Sequence, residues 1–204
     1  MLYVHTQYYN TIRKSYNIFV RLLILASSSK RRVDILRMLG FKFLVIPSGI
    51  DESLQGSSPI LVARRLAFKK SFAVWKDYKY ATVIGADTLV VADGKVLGKP
   101  KDTQQALQML RILSGRWHSV ITAVCIISTG KRIVFHDIAR VKFRHIEDRE
   151  IEKYLLTYEP WDKAGAYAVQ GFGATFVEKI VGDFYTVMGL PAGKTYKVLR
   201  DVLD

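Results

Sequence analysis

The side chains best suited to chemistry sit in short polar stretches placed directly after apolar ones. "ASSSKRR", residues 26–32, follows "LLIL" and sets serine hydroxyls beside the cationic forks of Arg31 and Arg32. Where a strand gives way to a helix, the free N–H groups of the first turn, hydroxyls and guanidinium groups together make an anion site. The alternative is a capped surface helix with solvated cations. "GADT", residues 85–88, also follows an apolar run, and it offers Asp87 at a strand's carboxyl end, where open α/β sheets bind ligands. Asp87 either binds a divalent cation or helps activate water, or else it closes an Asx-turn or caps a helix. "LGKPK" adds Lys99 beside the rigid Pro100, as a phosphate contact or a solvated lysine. Asp51 and Glu52 form a second acidic region. Carboxylates with cations nearby suit a metal–phosphate substrate, because hard Mg²⁺ prefers oxygen ligands and keeps its waters.

"DKAGAYAVQGFG", residues 162–173, is rich in glycine and alanine, which permit tight turns or close backbone approach. Gln170 there can read both a donor and an acceptor on a base edge. The competing reading is a glycine-rich connector with a solvated glutamine. Other patterns fail on spacing. "GLPAGKT" ends like a phosphate-binding loop, but Met188 stands where its first glycine belongs. His5, His118, His136 and His145 make no zinc pattern, and neither a dinucleotide fingerprint nor a serine-hydrolase elbow is present.

The elements needed to position these groups are legible from periodicity. "RLLILAS" reads as a buried strand and "SSKRRVDILRMLGF" as a helix with a serine N-cap, closed by Gly40. "FKFLVIPSG" reads as a second strand, and a helix is expected after Pro59. "YATVIGADTLVVADGKVLG" is expected to be a strand, a break around Gly85 to Thr88, then a hairpin turned at Asp93-Gly94. A helix capped by Asp102 follows, then strands joined at Thr129-Gly130, a helix ending before Pro160, a stretch of loop and short strands, and a terminal helix. Strands and helices intermixed in this way predict an α/β fold with a mixed central sheet.

Composition limits the function classes. The chain has 204 residues, half of them hydrophobic, with 31 Lys+Arg against 18 Asp+Glu, for a net charge of +13. That favours polyanionic partners: nucleic acid, an anionic membrane or a phosphorylated small molecule. The scattered cations match no nucleic-acid module. The single cysteine, Cys125, lies in an apolar run and reads as a buried hydrophobe, so no intrachain disulfide forms and the cytoplasm is the expected compartment. No run approaches the roughly 20 apolar residues of a membrane span. Residues 1–20 lack a secretory-signal pattern and read as an N-terminal extension.

In order and spacing, "LILASSSKRR", "GADTLVVADGKVLGKP", "DKAGAYAVQG" and "GDFYTVMGLP" resemble the Maf family of nucleoside triphosphate pyrophosphatases, from about Leu22 to the C-terminus. The resemblance implies an elongated, two-lobed α/β domain over residues 21–204, with a deep cleft and a fold related to the inosine triphosphate pyrophosphatases. It implies cleavage of a nucleoside triphosphate to monophosphate and pyrophosphate with a divalent cation, Mg or Mn. It also implies a homodimer, and neither a stable nucleic-acid partner nor a membrane is expected. Carried over by position, Asp87 is the catalytic acid, Arg31, Arg32 and Lys99 act on the phosphates, and Ser27 and Lys70 bind substrate. Glu52 joins Asp87 toward the metal, and Arg31, Thr88 and Gln170 select the base. The "DKAGAYAVQG" form resembles the branch acting on dTTP and UTP. Alternatives are modified purine or 7-methyl-GTP nucleotides, or a non-enzymatic nucleic-acid-binding or regulatory protein. The sequence departs from the family pattern at Lys30, where proline is usual, and in the acidic loop "GIDES".

Overall fold

A computed structural model describes residues 22–52 and 58–203, so the N-terminal extension and part of the polar loop after Glu52 lie outside the described residues. The fully buried run Leu23–Leu25 forms β1, and α1 (Lys30–Met38) follows. Leu44–Val45 is all that becomes strand (β2) in the expected second strand, and both residues are exposed. β2 lies at the sheet's end beside one strand, and its two side chains stay exposed while the flanking Phe43 and Ile46 pack against the core. The helix expected after Pro59 is α2 (Pro59–Trp75), with the proline at its start, where no N–H is needed. Then come β3 (Thr82–Ala92), β4 (Lys95–Leu97), α3 (Thr103–Leu113), β5 (Trp117–Ser128), β6 (Lys131–Phe143) and α4 (Asp148–Leu155). Two short 3-10 turns lead to β7 (Val177–Val181), α5 (Phe184–Met188) and the terminal α6 (Ala192–Leu203). The Asp102 carboxylate accepts from the Gln105 amide at 2.7 Å, as its sequence position implied.

The seven strands form one mixed sheet in the order β2-β1-β3-β5-β6-β7, with β4 also paired to β3. β1 runs parallel to β2 and β3, and the remaining pairs are antiparallel. Apolar side chains cover both faces. On one face α2 supplies Val62, Ala63, Leu66 and Ala67 against Leu89, Ile121, Ala123 and Cys125. The other and larger core joins Ile84, Ala86, Val90, Val120 and Val124 to α1, α3, α4 and α6. In α3 the buried residues are Ala106, Met109, Leu110 and Leu113, a spacing that makes one inward stripe.

The expected break at Gly85 to Thr88 does not occur, since β3 runs unbroken from Thr82 to Ala92. What lapses is pairing on one edge. β1 covers residues 82–84 of that edge and β4 covers 90–92, so residues 85–89 have no strand beside them there. On the opposite edge β5 pairs with every residue from Val83 to Val91. Gly85 reads as a loop residue from type alone, but α2 requires it. A Cβ there would stand 2.6 Å from the Ser71 amide nitrogen and 2.7 Å from the Ala67 carbonyl oxygen. The glycine lets a helix backbone rest directly on a strand.

Candidate active site

A cleft of about 530 Å³ opens at this gap in the sheet, lined by residues that include Ser27, Arg31, Arg32, Glu52, Lys70, Asp87, Thr88 and Lys99. Because strand side chains alternate, Asp87 points to the α2 face and Thr88 to the α1 face, and the open edge lets both reach one cavity. The structure therefore brings together all but one of the expected site residues. The exception is Gln170, which is exposed and does not line the cleft. Lys30 is likewise exposed and outside the lining, so its ammonium is solvated.

The Asp87 side is built from charges. Lys70 Nζ donates to Asp87 Oδ1 at 2.7 Å and contacts Glu52 Oε1 at 2.8 Å, while Lys99 Nζ reaches Glu52 Oε2 at 3.0 Å. The Lys70 and Asp87 side chains are each 6% exposed, whereas Glu52 and Lys99 are in partial contact with solvent at 40% and 55%. Burial pushes the Asp87 pKa upward, and the opposing charges of Lys70 and Arg32 do not fully offset it. Glu52 goes the other way: burial opposes its ionisation, but hydrogen bonds and charge from Lys70 and Lys99 bring its pKa down to about 2. Asp87 Oδ2 is buried and, among the described residues, has no hydrogen-bond partner. A buried carboxylate oxygen with free lone pairs can accept a hydrogen bond from, or coordinate, a group that enters the cleft.

The Thr88 side is built from directional hydrogen bonds. Arg32 Nε donates to the Gly189 carbonyl at 2.9 Å, Nη1 to Ser27 Oγ at 3.1 Å and Nη2 to Thr88 Oγ1 at 3.1 Å. A guanidinium has five N–H groups, so these bonds lock the fork and leave one N–H on each terminal nitrogen for an anion. Gly189 has φ 111°, and a Cβ there would come within 3.2 Å of Thr88 Oγ1, so glycine suits the position. Ser29 occupies the N-cap of α1 without a side-chain cap bond; it is Ser27 whose hydroxyl accepts from the Ser29 amide at 3.2 Å. Arg31 is half-buried at the cleft wall, and burial lowers its pKa despite the nearby carboxylate of Asp162.

Several residues that support the site read as ordinary core in sequence. Thr122 is fully buried and directly opposite Thr88 in the β3–β5 register. His118, also on β5, meets the Tyr167 hydroxyl at 2.8 Å, and burial holds its pKa at about 4, so it is neutral. Glu159 accepts from the Phe172 and Gly173 amides at 2.8 and 2.9 Å, clamping the turn that follows Gln170. A Cβ at Gly171 would overlap that carboxylate where it sits, so a larger residue there would displace the clamp. The only hint in sequence is polarity inside an apolar run, as in "VITAVC", and that does not say which residue lies opposite.

The Maf-like protein family matches residues 22–202, nearly the whole described chain. The chain belongs to the Maf family. A relative from Aquifex aeolicus (strain VF5), described as a dTTP/UTP pyrophosphatase, is 53% identical over 180 residues, spanning 88% of this chain and 95% of the relative. A Thermosipho africanus (strain TCF52B) protein of the same description is 43% identical over 179 residues, spanning 88% and 92%. Among solved structures, the Staphylococcus aureus Ham1 protein matches with a TM-score of 0.43 at 16% identity, over 60% of this Maf chain and 72% of its own. Among the described residues, no helix is long and apolar enough to cross a membrane, and no three His, Cys, Asp or Glu side chains gather into a metal cluster.

Proposed function

We propose that this Maf protein is a dTTP/UTP pyrophosphatase, releasing nucleoside monophosphate and pyrophosphate. The observation that carries the reading is a buried carboxylate with one oxygen unpaired among the described residues, Asp87 Oδ2, sharing a cleft of nucleotide size with Arg32. The dTTP/UTP description of relatives that share up to 53% of their residues with this chain supplies the base class.

In this mechanism the triphosphate lies with its phosphoryl oxygens on the two remaining N–H groups of Arg32, with Arg31 and Lys99 adding positive charge. Asp87 Oδ2 holds a water in line with the α-phosphorus and takes its proton as the water oxygen bonds to phosphorus. The bond from the α-phosphorus to the α–β bridging oxygen breaks, and pyrophosphate leaves with the electron pair. Burial raises the Asp87 pKa, which makes it a stronger base than an ordinary carboxylate. Lys70 keeps Oδ1 occupied, so Oδ2 is the oxygen presented to the water.

The donor set fits a divalent cation of the Mg²⁺ or Mn²⁺ type. Such ions are held by one or two carboxylates with substrate phosphates and water completing the shell, so a protein-only cluster is not required. Asp87 and Glu52 are the side chains that would hold it. When bound it would neutralise charge building on the departing pyrophosphate. Gln170 belongs to the same reading as a base contact only if its turn moves toward the cleft, and Ser27 and Thr88 as wall residues. Cytoplasmic residence and a homodimer rest on the family resemblance.

The test is Asp87→Asn, assayed for pyrophosphate release from UTP and dTTP with Mg²⁺ or Mn²⁺. Loss of a general base costs about 10²–10⁴-fold in turnover. Near-normal turnover in a folded variant would remove Asp87 from the role given to it here. A panel including 7-methyl-GTP and modified purine nucleotides tests the base class.

A further inference from the structure

Behind Thr88 lies a chain of hydroxyls whose hydrogens can be assigned by counting. Thr122 Oγ1 is 2.7 Å from the Thr186 main-chain carbonyl, which can only accept, so Thr122 spends its one hydrogen there. Thr88 Oγ1 is 3.0 Å from Thr122 Oγ1, and since the Thr122 hydrogen is already used, Thr88 must donate. Arg32 Nη2, 3.1 Å away, is a donor with no acceptor capacity, so Thr88 accepts from it. One lone pair is then all that Thr88 can show the cleft. Thr122 and Thr186 are fully buried, and water cannot replace either link. The far end is secured too: Asp183 caps α5 by accepting from the Tyr185 amide at 3.0 Å, which holds the turn carrying the Thr186 carbonyl.

We propose that Thr122 is a positioning residue that fixes Thr88 as an acceptor-only group, so that Thr88 meets a hydrogen-bond donor on the nucleotide and never a phosphoryl oxygen. Phosphoryl oxygens at neutral pH accept only, so Thr88 is not a phosphate ligand although it touches Arg32. Two groups on a thymine or uracil nucleotide donate: the ring N3–H and a sugar hydroxyl. Cytosine presents a bare N3 acceptor in the same place. A Thr88 that cannot turn its hydrogen toward the cleft therefore disfavours cytosine if it meets the base, and disfavours a deoxygenated sugar if it meets the ribose. This inference rests on the nucleotide reading above and deepens it from substrate class to the polarity of one contact.

The test compares Thr122→Val, which keeps the β-branched shape but removes the hydroxyl, with Thr122→Ser, which keeps the hydroxyl. Both are placed in an Asp87→Asn background, so that equilibrium binding is read without turnover. Affinities are measured for UTP against CTP, and for dTTP against its 3′-deoxy analogue. Loss of one directed hydrogen bond is expected to shrink one preference by about 10-fold in Thr122→Val, with Thr122→Ser restoring it. A fall in the UTP/CTP ratio assigns the donor to the base, and a fall in the dTTP/3′-deoxy ratio assigns it to the sugar. Neither ratio moving overturns the proposal, as does failure of the serine variant to restore a ratio that fell. If Thr122→Val does not fold, the Asp87→Asn background itself decides: equal affinity within both pairs, or no binding of UTP and dTTP, overturns the proposal. Binding preferences that respond to Thr122 in a protein whose Asp87 form hydrolyses no triphosphate would defeat the pyrophosphatase reading and leave this one standing.

Discussion

The two faces of β3 at the gap solve opposite problems with adjacent residues. On the α2 face, Asp87 is held by charge: a lysine on one oxygen, no described residue on the other, and a second lysine–glutamate pair in contact with solvent. On the α1 face, Thr88 and Arg32 are held by hydrogen bonds with fixed donors and acceptors, ending on main-chain carbonyls. Charge acts at a distance and tolerates small shifts, so the first arrangement can adapt when a cation or water arrives. Hydrogen bonds demand geometry, so the second is preset. Chemistry belongs on the adaptable face and recognition on the preset one.

Removing Lys70 breaks this contrast most sharply. Lys70→Met leaves the Asp87 carboxylate buried without its ion pair, a change that costs about 3–5 kcal/mol at neutral pH. An acid whose folded pKa is raised gives its stability at low pH and loses it as pH rises. The deficit of Lys70→Met should therefore shrink on acidification, as chemical denaturation across pH would reveal. A deficit independent of pH would show that Lys70 matters for packing and not for the carboxylate.

The preset face has its own acid sensitivity, through His118. Its pKa falls from 6.5 in the unfolded chain to about 4 in the fold, because burial disfavours the charged ring. A depressed pKa gives stability that is complete above 6.5 and lost as pH falls toward 4, and the gap corresponds to about 3 kcal/mol. His118→Phe keeps a ring against Phe143 and should flatten that part of the stability profile, at the cost of an unpaired Tyr167 hydroxyl. An unchanged slope would place the acid sensitivity elsewhere.

Gly85→Ala sharpens the comparison from the helix side. The added methyl meets α2 backbone, which has no rotamer to give, and overpacking of this kind costs about 1–3 kcal/mol. Displacing α2 moves Lys70 but not Arg32, so turnover should fall more than nucleotide affinity does. The smallest effect on stability belongs to Lys99→Met. Its pair with Glu52 is solvent-exposed and worth at most about 1 kcal/mol, so melting should barely move while the KM for triphosphate rises.

Most of the site's chemistry is legible in the sequence alone, because charge and hydroxyl content belong to the side chain wherever it is placed. Arg31, Arg32, Lys99, Asp87 and Glu52 were readable as a phosphate and metal constellation, and they do share one cleft. The helices were legible too, since the stripe in α3 and the Pro59 start of α2 are local patterns. The sequence suggests a break at Gly85 to Thr88, where β3 is continuous, because Gly and Asp are poor strand formers by type, a preference that packing against a neighbour overrides. Gly85 is there for the backbone of the preceding helix, which folds back onto the strand, and Asp87 is tolerated in a strand because Lys70 reaches it. Gln170 shows the converse: its chemistry suits a base edge, but the clamp of Glu159 on the following turn sits outside the cleft lining.

By itself, then, the sequence determined which groups were available and which local elements would carry them, because composition and periodicity are properties of short stretches. Only the tertiary structure decided that two neighbouring residues of one strand serve opposite faces of a single cavity. It alone left one oxygen of Asp87 unspent and turned the hydrogen of Thr88 away from the cleft. Those outcomes depend on register and on the edge of a sheet, where residues 34 positions apart meet at 3.0 Å, and no local pattern encodes them.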